Sequence, residues 1–293
     1  MKVTGISIIK NAVINNYPIV EAITSVLSLV DEMIVLIGDS EDDTEGLIKC
    51  IPSQKINIVH SVWDKNIRSG GSVLAVETNK ALQLVSPDTE WILYIQGDEV
   101  LHENDYPIII EAMKKYADDK KVDGLLFHYL HFYATYEYLR DGRNWYKQET
   151  RIIRNRRNIM SYRDAQGFRI GNEKINVAQI PATVYHYGWV KHPKDMKTKQ
   201  KNVAEFWEAD DNALNDFRES DDFFDFNDYD SVQRFKDTHP TVMQERIQKM
   251  NWKVELDVKR KKIKWKYRLL KVIQRLIGKD LFVFKNHKLI RKM

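Results

Sequence analysis

The strongest constraint on this chain is the order of its first 117 residues, in which strand-length apolar runs alternate with segments of helical period. VTGISIIK (3–10) is rich in β-branched residues, and IVEAITSVLSLV (19–30) sets its apolar residues three and four apart. EMIVLIGDS is a second strand that breaks at Gly38 and delivers Asp39 into a loop. KINIVHSVW is a third strand, SVLAVETNKALQLV a helix, WILYI (91–95) a fourth strand and YPIIIEAMKKYA (106–117) a further helix. Strands that alternate with helices pair in parallel and bury both faces. The expected fold is therefore α/β, with a Rossmann-like, mostly parallel central sheet flanked by helices.

In such a sheet, ligands bind beyond the carboxyl ends of the strands. Asp39 and Asp98 both fall there, the second within WILYIQGDEV, where Gln96, Asp98 and Glu99 follow the apolar run. Two carboxylates at one sheet edge can bind a hard divalent cation, act as general acid or base, or accept hydrogen bonds from sugar hydroxyls. Position alone leaves all three open.

The character of the chain changes after residue 122. VDGLLFHYLHFYATYEYL and RNWYKQETRIIRN are strand-like and dense in aromatics, which predicts a smaller and more antiparallel part. KINVAQIPATVYHYGWV (174–190) is a strand running into His186, and 193–209 reads as a Lys-rich helix. Residues 208–230 hold ten Asp/Glu against one Arg, interleaved with aromatics, and read as an acidic, loop-rich excursion.

Hydrophobic residues at 43% and charged residues at 30% are the proportions of a globular protein and argue against extensive disorder. The single cysteine, Cys50, and the lack of a basic-then-apolar opening segment lead us to expect a reducing, cytoplasmic setting. The net charge of +4 is unevenly spread: residues 252–293 carry 15 Lys/Arg against 3 Asp/Glu, which makes that stretch +12 and the rest −8. Within it, KRKKIKWKYRLLKVIQRLIGK places Ile263, Tyr267, Leu270, Ile273 and Ile277 near one helical face. A basic amphipathic helix of this kind either lies on an anionic membrane surface or packs on the domain.

The order ISIIKNAVINNYPIVEAITSVLSLVDEMIVLIGDSEDDT, then GSVLAVETNKAL, then EWILYIQGDEVL resembles the family 2 glycosyltransferases of GT-A fold, over roughly residues 3–115. ETRIIRN (149–155) and VYHYGWVKHPKDMKTKQK (184–201) resemble, more weakly, later segments of bacterial members that build surface polysaccharides. The resemblance implies a GT-A catalytic domain over 1–205, with a nucleotide-sugar donor half to 120 and an acceptor half from 121. An acidic aromatic excursion and helix would follow over 206–257, and a basic C-terminal helical extension over 258–293.

What the resemblance implies for residues is specific. Asp39 would face the nucleotide base or ribose, with Ile9, Lys10 and Asn11 lining the same pocket. Asp98 would be the metal-facing second acid of a D-x-D motif whose first acid is here Gln96, a neutral amide that can bind a ribose but supplies no charge. His186 would then be a second ligand for Mn²⁺ or Mg²⁺. The general base of an inverting transfer would come from SYRDAQGFR as Asp164, with Glu149 second and Glu99 third. Arg151, Arg154, Arg163 and Arg169 are candidates for phosphate oxygens. The implied partners are a nucleotide-sugar donor and a glycan or lipid-linked acceptor; docking of the basic helix on an anionic membrane surface, the alternative to its packing on the domain, would suit a lipid-linked acceptor and place the protein at the inner face of the membrane. Two alternatives stand beside this. A nucleotidyltransferase acting on a sugar phosphate would share the strand order but usually opens with a Gly-rich phosphate loop, where this chain has KNAVINN. A nucleic-acid binder would use the basic tail with Trp265 and Tyr267, against which the acidic body argues.

Overall fold

The computed structural model describes residues 1–142, 145–207, 222–261 and 285–293. Its first half follows the alternation in the sequence. β1 (Val3–Ile9), β2 (Glu32–Ile37), β3 (Ile56–His60) and β4 (Trp91–Tyr94) are parallel in the order β3-β2-β1-β4. Both faces of this part are covered. Met33, Val35 and Ile37 of β2 enter one apolar cluster with Ile19 and Ile23, while Ile34 and Leu36 enter the other with Val73 and Ala81. That two-sided burial is why the strands read as unbroken apolar runs.

Helices α1 (Ile19–Thr24), α2 (Thr44–Lys49), α3 (Ser72–Leu84) and α4 (Tyr106–Lys115) connect and cover these strands. α1 ends earlier than the apolar spacing over 19–30 predicts, and the chain continues in turns whose Val26, Leu29 and Val30 are still buried. The periodicity marks a buried face, which turns with nearly helical spacing also satisfy.

The sheet continues with β8 (Gln148–Arg154), antiparallel to β4, and then β6 (Gly124–Tyr133) and β7 (Thr135–Arg140), a hairpin that reverses at Ala134. β12 (Asn176–Trp189) runs parallel to β6, with its register shifting between Gln179 and Thr183, around Pro181. A proline cannot donate to the ladder, so a bulge is where a long strand tolerates one. β13 (Val232–Arg234) pairs with β7 at the sheet edge. β9 (Ile159–Tyr162), β10 (Gly167–Ile170) and β11 (Glu173–Lys174) form a small antiparallel sheet. α5 (Pro193–Ala204) ends five residues short of the expected boundary. At the end of the chain, β14 (Lys288–Lys292) pairs in parallel with β12, so the basic extension finishes on the sheet. Most of the acidic stretch and the whole amphipathic face from Ile263 to Ile277, with Trp265 and Tyr267, lie outside the described residues.

One strand was not anticipated. Asp98 and Glu99 do not simply end β4, because β5 (Glu99–Leu101) begins at once and pairs antiparallel with β12. Glu99 is fully buried and accepts two hydrogen bonds from Arg151, at 2.7 Å from Nε and 2.5 Å from Nη2, and one from the Tyr129 hydroxyl. This network ties β5 to β8 and β6. It also answers for two expectations, since Glu99 is committed to Arg151 and neither group is free for a substrate. Arg154 is likewise spent inside the fold, where Nη2 donates to the carbonyls of Tyr116, Ala117 and Asp119.

Glu99→Gln would leave the Arg151 guanidinium buried without its anion. It should cost about 3–5 kcal/mol, read as a fall in the urea midpoint with an unchanged slope.

Candidate functional site

The carboxyl ends of β1 and β4 open into a cavity of about 350 Å³. Sheet order reverses between these two strands, the place where such sheets bind ligands. β1 contributes Ile8, Ile9, Lys10 and Asn11 to the wall, and the segment after β4 contributes Gln96, Gly97 and Asp98. Asn11 adopts a left-handed conformation (φ 54°), which asparagine tolerates, and its side chain accepts a hydrogen bond from Glu41 N at 2.7 Å. That bond fixes the β1 loop against the acidic loop after β2. Asp39 stands behind Lys10, its Oδ1 2.9 Å from the ammonium and accepting from Trp63 N at 3.1 Å. Burial alone would raise the Asp39 carboxyl, but the bonds from Lys10 and Trp63 hold it below its ordinary value.

The far wall comes from β12, and strand register decides what it presents. Glu99 opposes His186 across the β5–β12 ladder, and Tyr187 N donates to the Asp98 carbonyl at 2.8 Å. Asp98 therefore falls beside His186 and Gly188. Asp98 Oδ2 is 3.5 Å from His186 Nε2 and 3.3 Å from Lys199 Nζ. A β-carbon at position 188 would lie 2.6 Å from His186 Nε2 and nearer still to Asp98, so only glycine leaves room for this cluster. Burial pushes the Asp98 carboxyl up, but Lys199, His186 and the buried Lys191 outweigh it and hold Asp98 well below the usual carboxylate range. The same exchange raises Lys199 against its own burial, through Tyr17 and Asp98. An anion and a cation are thus both fixed at the mouth of the core.

Asp98 and His186 are the donors a divalent cation would use. Two adjacent ligands, each about 2.1 Å from one Mg²⁺-like ion at a right angle, stand about 3 Å apart, close to the separation seen. Among the described residues, buried His186 Nδ1 has no hydrogen-bond partner. Among the described residues no group of three or more His, Cys, Asp or Glu could hold a metal, so Asp98 and His186 alone leave such an ion's shell incomplete. Gln96 turns its amide nitrogen toward the Tyr94 hydroxyl (3.2 Å) and adds no charge.

Asp164 is on the cavity wall, with Oδ1 accepting from Gln166 Nε2 at 2.6 Å. Its neighbours Arg163 (φ 56°) and Ala165 (φ 58°) are both left-handed without being glycine, a strained turn of the kind that clusters at functional sites. Gly71, itself at φ 69°, lets Asp164 and Trp207 close in. Glu149 is one layer deeper, off the wall and 3.8 Å from Arg151. Burial pushes its carboxyl up to about 8; Arg151 opposes this, and Glu99 and Asp164 add to it. Arg151 and Arg169 are buried, and neither they nor Arg163 belongs to the cavity wall.

The sequence reading did not single out Lys199, Tyr17, Trp145, Tyr146, Trp189 or Phe206. For one group the signal was present. Lys199, Asn202, Val203 and Phe206 all line the cavity and sit three, four and seven residues apart, one face of α5 and its C-terminal turn. Phe206 then packs on Trp63, ring centroids 5.3 Å apart, and its carbonyl accepts from Gly71 N at 2.8 Å. Trp145 and Tyr146 come from the turn between β7 and β8 and carried no periodic signal.

No protein-family model and no curated protein matches the chain. Among solved structures it is similar to S. aureus TarS 1-349, at 15% identity over 74% of this chain and 69% of that one, with a TM-score of 0.37. The same protein in complex with UDP-GlcNAc gives 16% identity, 74% and 70% coverage and a TM-score of 0.39. Glucosyl-3-phosphoglycerate synthase from Mycobacterium tuberculosis, in complex with Mn²⁺, UDP and phosphoglyceric acid, gives 18% identity, 44% and 43% coverage and 0.31. The chain thus spans less than half of the latter protein. Likenesses this distant leave function to the geometry of the cavity.

The Glu149 carboxyl binds a proton in the folded protein that it releases when unfolded, so stability should be full below the unfolded pKa, near 4.5, and fall as pH rises toward 8. Glu149→Gln removes that dependence. Between pH 5 and pH 8 the variant should gain at least about 1 kcal/mol on the parent, measured as paired urea midpoints at the two pH values.

Proposed function

We propose that this chain is a glycosyltransferase that moves a sugar from a nucleotide diphosphate donor to an acceptor hydroxyl, with inversion. The observation that carries the reading is the convergence of Asp98, His186 and Lys199 on one point at the carboxyl edge of the sheet, with the Lys10–Asp39 pair behind the same cavity. A nucleoside diphosphate needs a hydrogen-bonding carboxylate at its nucleoside end and fixed positive charge at its phosphates. Asp39 is the carboxylate at the nucleoside end, set behind Lys10 and off the wall. Lys10 and Lys199 supply the positive charge. Trp63 and Phe206 add flat apolar surface near the nucleoside end.

In the transfer, an acceptor hydroxyl attacks the anomeric carbon from the face opposite the diphosphate, and the bond from that carbon to the diphosphate oxygen breaks. Asp164, held on the wall by its strained turn, takes the hydroxyl proton. Lys199 stabilises the charge that grows on the leaving diphosphate. A divalent cation held by Asp98 and His186 would supply further Lewis-acid neutralisation of that diphosphate. Glu149 is less suited to the base role, because it is off the wall and its raised pKa keeps it protonated at neutral pH. The aromatic floor formed by Trp145, Tyr146 and Trp189 suits a sugar ring.

The loop after β1 reads KNAVINN and is not the Gly-rich loop with which a nucleotidyltransferase usually covers its triphosphate, which favours transfer of the sugar. A membrane-bound or surface-glycan acceptor remains part of the proposal through the basic extension. No helix among the described residues is long and apolar enough to cross a membrane.

The test is turnover of a panel of UDP, GDP and dTDP sugars with Mn²⁺. One donor should be hydrolysed or transferred, and Asp98→Asn should lower kcat about 100-fold or more. Full activity in that variant, or binding of no donor at all, would sink the assignment.

A further inference from the structure

A second cavity, of about 450 Å³, is lined by Arg140, Trp145, Tyr146, Asp228, Tyr229 and Asp230. It shares Trp145 and Tyr146 with the first, so these two rings are a common wall between the chambers. The wall is braced from behind: His131 Nε2 bonds the Tyr146 carbonyl at 2.8 Å, and the His131 ring lies 4.5 Å from that of Tyr146 and 4.8 Å from that of Trp145. Trp189 meets Trp145 edge-on at 5.8 Å.

The chemistry of the second chamber is distinct from that of the first. The Arg140 guanidinium is stacked between Tyr133 (4.4 Å) and Trp145 (4.7 Å), with Nη2 3.8 Å from Asp230 Oδ1. Its Nε is buried without a hydrogen-bond partner among the described residues. Asp228 is exposed, and its carbonyl accepts from Arg140 and Tyr133. Of the described lining residues two are carboxylates and one a guanidinium, and a second guanidinium, Arg260, lies over Tyr229 at 4.7 Å, so among the described residues the chamber has no excess of positive charge to hold a phosphate. Aromatic faces beside acceptor oxygens and one planar donor are the groups that bind a pyranose ring, whose C–H face stacks and whose hydroxyls need partners.

Resting on the transferase reading above, we infer that this chamber is the acceptor subsite and that it takes an uncharged pyranoside end of a glycan in preference to a phosphorylated acceptor. The sugar stacks on the Trp145–Tyr146 partition, its outer hydroxyls meet Asp228, Asp230 and Arg140, and its reactive hydroxyl reaches past Tyr146 toward Asp164. No bond is made or broken in the chamber itself. It sets which hydroxyl is presented.

The experiment is steady-state transfer by the full chain, with the donor identified from the panel and with cellobiose, lactose and chitobiose as acceptor probes against glycerol 3-phosphate. At least one neutral disaccharide should be glycosylated and glycerol 3-phosphate should not. Asp228→Asn should raise the acceptor KM about tenfold with the donor KM unmoved. Asp230→Asn should do the same, but its Oδ1 also accepts from Ser231 N, so the exposed Asp228 guards against a folding defect. Preferential transfer to glycerol 3-phosphate, or acceptor KM values indifferent to both variants, overturns the assignment. Donor hydrolysis without transfer to any saccharide overturns the acceptor subsite alone, whereas failure to bind any donor overturns the transferase reading with it.

Discussion

The arrangement of the cavity depends on one buried ion pair. Glu99 and Arg151 are both almost without solvent contact, and each is held by more than the other: Tyr129 donates to Glu99, and the Thr150 carbonyl accepts from Arg151. Two desolvated charges are tolerable only with this completeness of bonding. The pair welds the three-residue β5 to the antiparallel half of the sheet, and Asp98 is the residue immediately before β5. A carboxylate that is to face a ligand is therefore positioned by its neighbour in sequence, which faces the core. His186 and Gly188 inherit their places from the same ladder through β12.

The sequence made the parallel half legible because two-sided burial writes itself as strand-length apolar runs, and the acids Asp39 and Asp98 break those runs where the strands leave the core. The antiparallel half was legible as strands but not as an order. That β12 runs parallel to β6 is a long-range pairing that no local pattern encodes. β5 was too short to have a period, and Glu99 looked like a second available acid because its partner, Arg151, is 52 residues away. Glu149 and Asp164 illustrate the same limit: one lies within β8 and the other just after β9, and nothing local in the sequence separates the acid behind the wall from the one on it.

Position in the cavity also redistributes meaning among the cations. Arg151, Arg154, Arg163 and Arg169 were the conspicuous basic residues, and the fold spends three of them, Arg151, Arg154 and Arg169, on internal carboxylates and carbonyls. The cations that line the site are lysines. A lysine ammonium is a compact, strongly hydrated charge on a flexible stem, which suits a diphosphate whose oxygens vary in position, whereas a guanidinium suits a fixed planar partner. Glu99 is such a partner, and there the chain uses arginine.

One mechanical consequence concerns α5. The helix bears Lys199 against Asp98, and the turn that follows it carries Phe206 against Trp63 and Gly71, so the charge at one end of the cavity and the aromatic cover at the other lie seven residues apart on one continuous segment. Any displacement that lifts the cover also lengthens the separation between ammonium and carboxylate, and Coulombic attraction between them falls with that distance. Access and electrostatics are geared together in this molecule. A guest that holds this segment down is rewarded at both of its ends.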